Sequence, residues 1–285
     1  MICFHHNDAD GRCAAAVVHM AMHLPPPMEG EPNIRFVEMD YNMSVDVDSI
    51  KEQETVIIVD FSFKPDVMKK VLARTSNVIW IDHHKTAKDY DYGVILDGRR
   101  DFEEPGHSGA YLAWEHFFND MPVPYAVALV SDYDTWQHKM NGDKEFNLGL
   151  ACRPGLADPD SHAWAELFRN EKFVNELICD GAMAMRYRDQ KCEDYCSSFG
   201  YETEIGGHKA YAVNLYTFGS QTFGDRMKEY PICAGFVFDG NQWTVSLYSD
   251  LGVDTSVISK GYGGGGHSGA SGFQCDELPF GGESS

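Results

Sequence analysis

The first half of the chain alternates short, continuous apolar runs with amphipathic stretches. Met1–His5, Ile34–Met39, Thr55–Asp60 (TVIIVD) and Asn77–Asp82 (NVIWID) are runs of strand length. The last two end in Asp, and unbroken apolar runs of this kind suit parallel strands buried on both faces. Cys13–Met22, Lys64–Ala73 and Ala110–Phe118 carry helical patterns; the first is closed by Pro25-Pro26-Pro27, and the second starts at Pro65, a good first-turn residue. This alternation predicts an α/β domain with a mainly parallel sheet. From about residue 160 to 197 the pattern becomes long and helical. After Gly200 it turns strand-rich: Lys209–Leu215, Ile232–Phe238 and Trp243–Tyr248, with Asp239-Gly240-Asn241 as a hairpin turn, then the glycine-rich 261–272 and a polar tail.

The length of 285 residues suits two domains and a core that needs no staples. Domain ranges of 1–155, 156–199 (a helical linker) and 200–285 (a smaller α/β domain) are expected. No run of eighteen apolar residues and no secretory pattern is visible, and the eight scattered cysteines read as reduced thiols, so a cytoplasmic protein is expected. A net charge of −21 opposes a polybasic grip on long duplex DNA or on an anionic membrane. A short anionic substrate at one local site remains compatible with it.

In open α/β sheets, ligands bind beyond the carboxyl ends of the strands. His6-Asn7-Asp8-Ala9-Asp10-Gly11 follows the first apolar run, Asp60 ends TVIIVD, and Asp82-His83-His84 ends NVIWID. Ser131-Asp132-Tyr133-Asp134-Thr135 follows apolar Ala126–Val130 and reads as a fourth such end. Asp-x-Asp-Gly by itself is an ordinary turn, and an Asp at a strand end is an ordinary cap. Together these carboxylates would repel one another unless cations neutralised them, and oxygen plus imidazole donors favour Mn²⁺ or Mg²⁺ in a two-metal site suited to phosphoryl displacement.

HNDADG, VDFS around Asp60, and DHH at 82–84 resemble the motifs of the DHH phosphoesterases. That group includes RecJ-type exonucleases, oligoribonucleases (nano-RNases), cyclic-dinucleotide phosphodiesterases and manganese pyrophosphatases. Gly263–Gly272 (GGGGHSGASG) resembles the signature of the associated C-terminal substrate-binding (DHHA1) domain, and HNDADG, DHHKT and YDTW together are most similar to the compact oligoribonuclease layout. The resemblance implies an N-terminal DHH domain, a helical linker and a DHHA1 domain. It implies two Mn²⁺ ions (Mg²⁺ as the alternative), with His6, Asp8 and Asp60 on the first and Asp10, Asp60, His83 and Asp134 on the second. Asp134 is preferred to Asp132 because Asp-Thr is the family's pattern. Asp82, His83 and His84 form the catalytic group, with Asp82 orienting a histidine and His84 meeting the substrate phosphate or the leaving oxygen.

Substrate binding is implied for Gly264, Gly265, Gly266 and His267 as a clamp for a phosphate or nucleotide end. Tyr248 replaces the Arg of the relatives' SLRS strand and would stack on a base instead. Ser108, opening a helix, reads either as a phosphate contact or as a plain N-cap. Arg99-Arg100 reads as a solvated loop pair or a substrate contact, and His5 as a support for the ligands or a packed strand residue. The implied activity is hydrolysis of short oligonucleotides to nucleoside 5′-monophosphates by water activated between two metals. The alternatives are linear or cyclic dinucleotides, 3′-phosphoadenosine 5′-phosphate or polyphosphate as substrate, or a nucleotide-binding protein without catalysis. A homodimer is left open.

Overall fold

The computed structural model describes residues 1–23, 34–41, 43–156, 158–215 and 218–281. The chain divides into two compact units, Met1–Ala184 and Met185–Ser285. The division falls inside one continuous helix.

In the first unit, β1 (Ile2–His6), α1 (Ala9–Met22), β2 (Arg35–Met39), β3 (Val56–Val59), α2 (Pro65–Leu72) and β4 (Val78–Ile81) build a four-stranded, wholly parallel sheet of order β2-β1-β3-β4. Both faces are covered, which is why the strands are continuously apolar. Cys3, Ile57, Val59 and Ile81 pack with α1 on one face; Ile2, Phe4, Ile58, Trp80, Met68 and Val71 fill the other. The first face is completed by α3 (Gly109–Phe117), α4 (Tyr125–Asp134), α5 (Asp143–Ala151) and α6 (His162–Leu167), and by the first half of α7 (Glu171–Phe199). The chain leaves β1 toward β2 and leaves β3 toward β4, in opposite directions along the sheet. A crevice therefore opens beyond the carboxyl ends of the two adjacent strands β1 and β3.

The second unit contains β5 (Tyr201–Ile205), β6 (His208–Val213), α8 (Arg226–Glu229), β7 (Ile232–Phe238), β8 (Trp243–Tyr248), α9 (Thr255–Gly261), β9 (Gly265–Gly266) and β10 (Ala270–Cys275). Its six-stranded sheet has the order β5-β6-β7-β8-β10-β9, with β6 and β7 parallel and the other pairs antiparallel. Phe236, Val245, Leu247 and Phe273 anchor its main core.

The expected α/β architecture with a parallel first sheet is what the structure has. One expectation is corrected. Ala126–Val130 is not a strand end but the middle of α4, so the fourth acidic segment reaches the site from a helix. A second point is an addition and not a correction: within the glycine-rich stretch, Gly265 and Gly266 pair with Gly272 and Ser271, and 270–275 forms a strand beside β8. The proline run 25–27 lies outside the described residues. All eight cysteines are unpaired. Among the described residues, no helix is long and apolar enough to cross a membrane.

Candidate metal centre

The crevice at the ends of β1 and β3 is lined with donors. Asp8 is the N-cap of α1, its Oδ1 accepting from the Gly11 amide at 2.9 Å, while its Oδ2 lies 2.7 Å from His6 Nδ1. Two residues on, Asp10 enters the first turn of α1 and reaches the start of α3. Its Oδ1 accepts from Ser108 Oγ (2.6 Å) and the Ala110 amide (3.0 Å), and its Oδ2 from the Gly109 amide (2.7 Å). The start of α3 thus fixes the orientation of this carboxylate. HNDADG is at once a capping turn and a row of side chains that could hold a metal ion.

Asp60 follows β3 with a left-handed backbone, φ 51°. Its amide still continues the ladder, donating to Ile81 O at 2.9 Å. Gly109 is packed against it so closely that a Cβ there would stand 2.5 Å from Asp60 Cβ. His83 Nε2 lies 3.2 Å from Asp60 Oδ1 and 3.2 Å from Asp134 Oδ2, and 3.9 Å from Asp10 Oδ2. His6 Nδ1 lies 3.8 Å from Asp60 Oδ2. Three sets of donors fall within 4.8 Å of one another: His6, Asp8 and Asp60; Asp10, His83 and Asp134; and Asp60, His83 and His84. Asp60 belongs to two of them, on opposite sides.

The fit to divalent cations rests on oxygens left without partners. Both carboxylate oxygens of Asp60 and Oδ2 of Asp134 are buried and accept no hydrogen bond. A buried anion in that state is expensive unless a cation or a proton meets it. Burial, followed by the Asp10 and Asp8 charges, drives Asp60 well above the usual carboxylate range and pushes Asp134 up to about 8. Burial would also raise Asp8, but hydrogen bonds from His6 and the Gly11 amide prevail and bring it down to about 2. Burial lowers His83, keeping its imidazole neutral and able to ligate. The donor set, carboxylates and imidazoles with no thiolate, suits a hard divalent ion.

Asp82 lies beneath the ligands. Its Oδ1 accepts from His84 Nδ1 at 2.7 Å and from the amides of His83 (2.8 Å) and His84 (3.2 Å), while its Oδ2 accepts from Ser62 Oγ. Burial works against the charge on both side chains, but their pairing lowers Asp82 and raises His84. His84 is thereby fixed in orientation and inclined to carry a proton. Asp132, the rival of Asp134, has both oxygens taken: Oδ1 by the Lys139 amide (3.1 Å) and Oδ2 by the Met140 amide (2.8 Å).

Of the two readings of Ser108, the N-cap is the one the structure has. Ser108 is fully buried, caps α3 and donates to Asp10, so it faces a ligand carboxylate and not solvent. Arg99 pairs with Glu115 and Arg100 binds the carbonyls of Trp80 and Leu96, so both have structural partners. His5 is buried in β1 with Nδ1 on the His6 carbonyl at 2.8 Å.

In the second unit, Gly264 must lack a side chain, because a Cβ would stand 2.1 Å from the Gly272 carbonyl oxygen. His267 is exposed, and its amide closes the β9–β10 turn on Ala270 O at 2.8 Å. Tyr248 is half-buried against Phe223, with ring centroids 6.0 Å apart. Sequence reasoning passed over Tyr41, which packs over His6 and Phe61, and it quoted Trp136 within YDTW without giving it a role; the structure puts that residue at the site's edge. A lone aromatic such as Tyr41 in a polar segment gives no signal of its position.

A parallel sheet with a two-lobed acidic crevice, followed by a mixed-sheet unit, is the fold of DHH-domain proteins. No family model matches the sequence. The structure resembles the pGpG-specific phosphodiesterase of Vibrio cholerae, covering 96% of this chain and 92% of that one at TM-score 0.56 and 14% identity. It also resembles the DHH domain of a member of the s1p family of ribosomal proteins, with 95% and 81% covered, TM-score 0.52 and 15% identity. In sequence, an uncharacterized protein of Acanthamoeba polyphaga mimivirus is 28% identical over 253 residues, 82% of this chain. This chain spans 57% of that relative's length. At these identities the likeness establishes the fold.

Proposed function

We propose that this protein is a DHH/DHHA1 phosphoesterase that hydrolyses short oligonucleotides to nucleoside 5′-monophosphates with Mn²⁺ or Mg²⁺. The observation that carries this reading is the gathering of His6, Asp8, Asp10, Asp60, His83 and Asp134 around buried carboxylate oxygens that have no partner. Two divalent ions held there would supply an activated water and offset the charge on the phosphate oxygens. The chain's own groups do the rest. The start of α3 fixes Asp10 in place, and the buried neutral His83 presents a nitrogen to the site. His84, held by Asp82 and inclined to be protonated, is placed to give a proton to the departing oxygen.

The Vibrio cholerae neighbour's dinucleotide substrate supports a short nucleotide as the client, and linear or cyclic dinucleotides form the second reading. The net charge of −21 agrees, since it repels long polyanions beyond the local site. The second unit is read as the DHHA1 module that holds a nucleotide end through Gly264–Gly266 and His267. Eight free thiols fit a reducing compartment such as the cytoplasm.

The test is a panel assay with Mn²⁺ that scores release from di- to decanucleotides, cyclic dinucleotides, 3′-phosphoadenosine 5′-phosphate and polyphosphate. Cleavage of the shortest oligonucleotides, abolished in Asp60→Ala, is expected. Turnover of polyphosphate with no dinucleotide cleavage overturns the reading.

A further inference from the structure

We propose that Trp136 is a stacking platform for the base of a nucleotide whose phosphate lies at the metal centre, so that the site selects esters carrying an aromatic base. The proposal rests on the phosphodiesterase reading above.

Trp136 follows the ligand Asp134 by two residues and leaves its indole 81% exposed, with a left-handed backbone, φ 54°. A bulky residue rarely adopts that conformation unless its surroundings impose it, and such positions concentrate at functional sites. Here the imposition is visible. The Asp132 carbonyl accepts from the amides of Gln137 (3.1 Å) and His138 (3.3 Å), and its carboxylate takes those of Lys139 and Met140. The Gln137 side chain bonds Gly106 O at 3.2 Å, and His138 Nδ1 meets Asp143 Oδ2 at 2.5 Å. The segment that carries the indole is therefore pinned on every side, and only the ring projects. His138 meets it in a T-shaped contact, centroids 5.5 Å apart at 75°, and the residue still remains 81% exposed.

The ring lines a cleft of about 730 Å³ together with His83, His84 and Asp134, a size that accepts a nucleotide. Lys85 and Lys139 border the same cleft together with Glu103 and Glu104; Lys85 pairs with Glu104, and Lys139 Nζ donates to Gln137 Oε1 at 2.7 Å. A rigid, exposed ring beside phosphate chemistry is the arrangement on which bases stack without their sequence being read. Polyphosphate and pyrophosphate would gain nothing from it. The indole thus separates substrates that the metal ligands alone treat alike.

The experiment compares wild type, Trp136→Ala and Trp136→Phe on 5′-phosphorylated diadenylate and on analogues abasic at either position, with Mn²⁺. Binding of the diadenylate with Ca²⁺ in place of Mn²⁺ is followed by calorimetry. Trp136→Ala is expected to lower kcat/KM for the diadenylate about 10- to 100-fold, mainly through KM, and to leave one abasic analogue unaffected, while Trp136→Phe restores most of the loss. Equal losses on every substrate, or none on the diadenylate, overturn the proposal. If wild type hydrolyses none of them, the phosphodiesterase reading fails. The calorimetry then decides: binding weakened by Ala and kept by Phe supports the platform, and no binding, or equal binding by all three, overturns it.

Discussion

The hydroxyl of Ser108 donates to Oδ1 of Asp10 at 2.6 Å, joining the start of α3 to the first turn of α1 across 98 residues of chain. The bond fixes a carboxylate that lies 3.9 Å from His83 Nε2, in one of the donor sets. Groups that orient a metal ligand are worth about 10- to 100-fold in metal affinity. Ser108→Ala should weaken Mn²⁺ binding by that order, measured by calorimetry, and destabilise the fold by about 1 kcal/mol through the lost cap. A rise in substrate KM with unchanged Mn²⁺ affinity would instead restore Ser108 to direct substrate contact.

Asp132 and Asp134 sit one turn-half apart on α4 but should fail differently. Asp134→Asn removes a buried oxygen that lies 3.2 Å from His83 Nε2 and has no partner, so it should abolish turnover with little loss of thermal stability. Asp132→Ala leaves the Lys139 and Met140 amides unpaired and should cost about 1–3 kcal/mol in denaturant unfolding. Equal stability loss in both variants contradicts this division.

Metal and pH should act on stability together. Asp60 and Asp134 lie above their unfolded values in the metal-free fold, Asp134 at about 8. Between an ordinary carboxylate pKa and about 8 the folded state then binds more protons than the unfolded one, so stability falls as pH rises. In EDTA, Tm should drop between pH 5 and 8. Saturating Mn²⁺ or Mg²⁺ should raise Tm and flatten that slope, by about 2.7 kcal/mol at a hundredfold excess over Kd. A Tm that rises through this range in EDTA would show the carboxylates are ionised without metal.

Gly109 should be intolerant of a single methyl. Its Cβ would lie 2.5 Å from Asp60 Cβ and 3.0 Å from Asp10 Oδ2, so Gly109→Ala must displace two ligands. Loss of Mn²⁺ binding is expected, while Gly155→Ala, with nothing within 4 Å, should bind as wild type.

The sequence revealed the site's frame better than its supports. β1, β3 and β4 were legible because burial on both faces leaves unbroken apolar runs ending at the ligands. α4 was not, because five apolar residues do not separate strand from helix and Pro124 offers no side-chain cap. The strand 270–275 was hidden because its buried face carries only Ser271 and Phe273, and Gly272 between them packs by backbone approach, which leaves no apolar pattern. Ser108 was legible as an N-cap, but its bond to Asp10 depends on a contact distant in sequence. The function of Asp132 is likewise set by amides seven and eight residues later.

Asp60 combines a left-handed backbone with a carboxylate that is 1% exposed and has no hydrogen-bond partner. Either condition by itself favours another residue there: glycine for the φ, an uncharged side chain for the burial. An aspartate at that place gains the fold nothing, so the reason for it lies in what its two bare oxygens can hold.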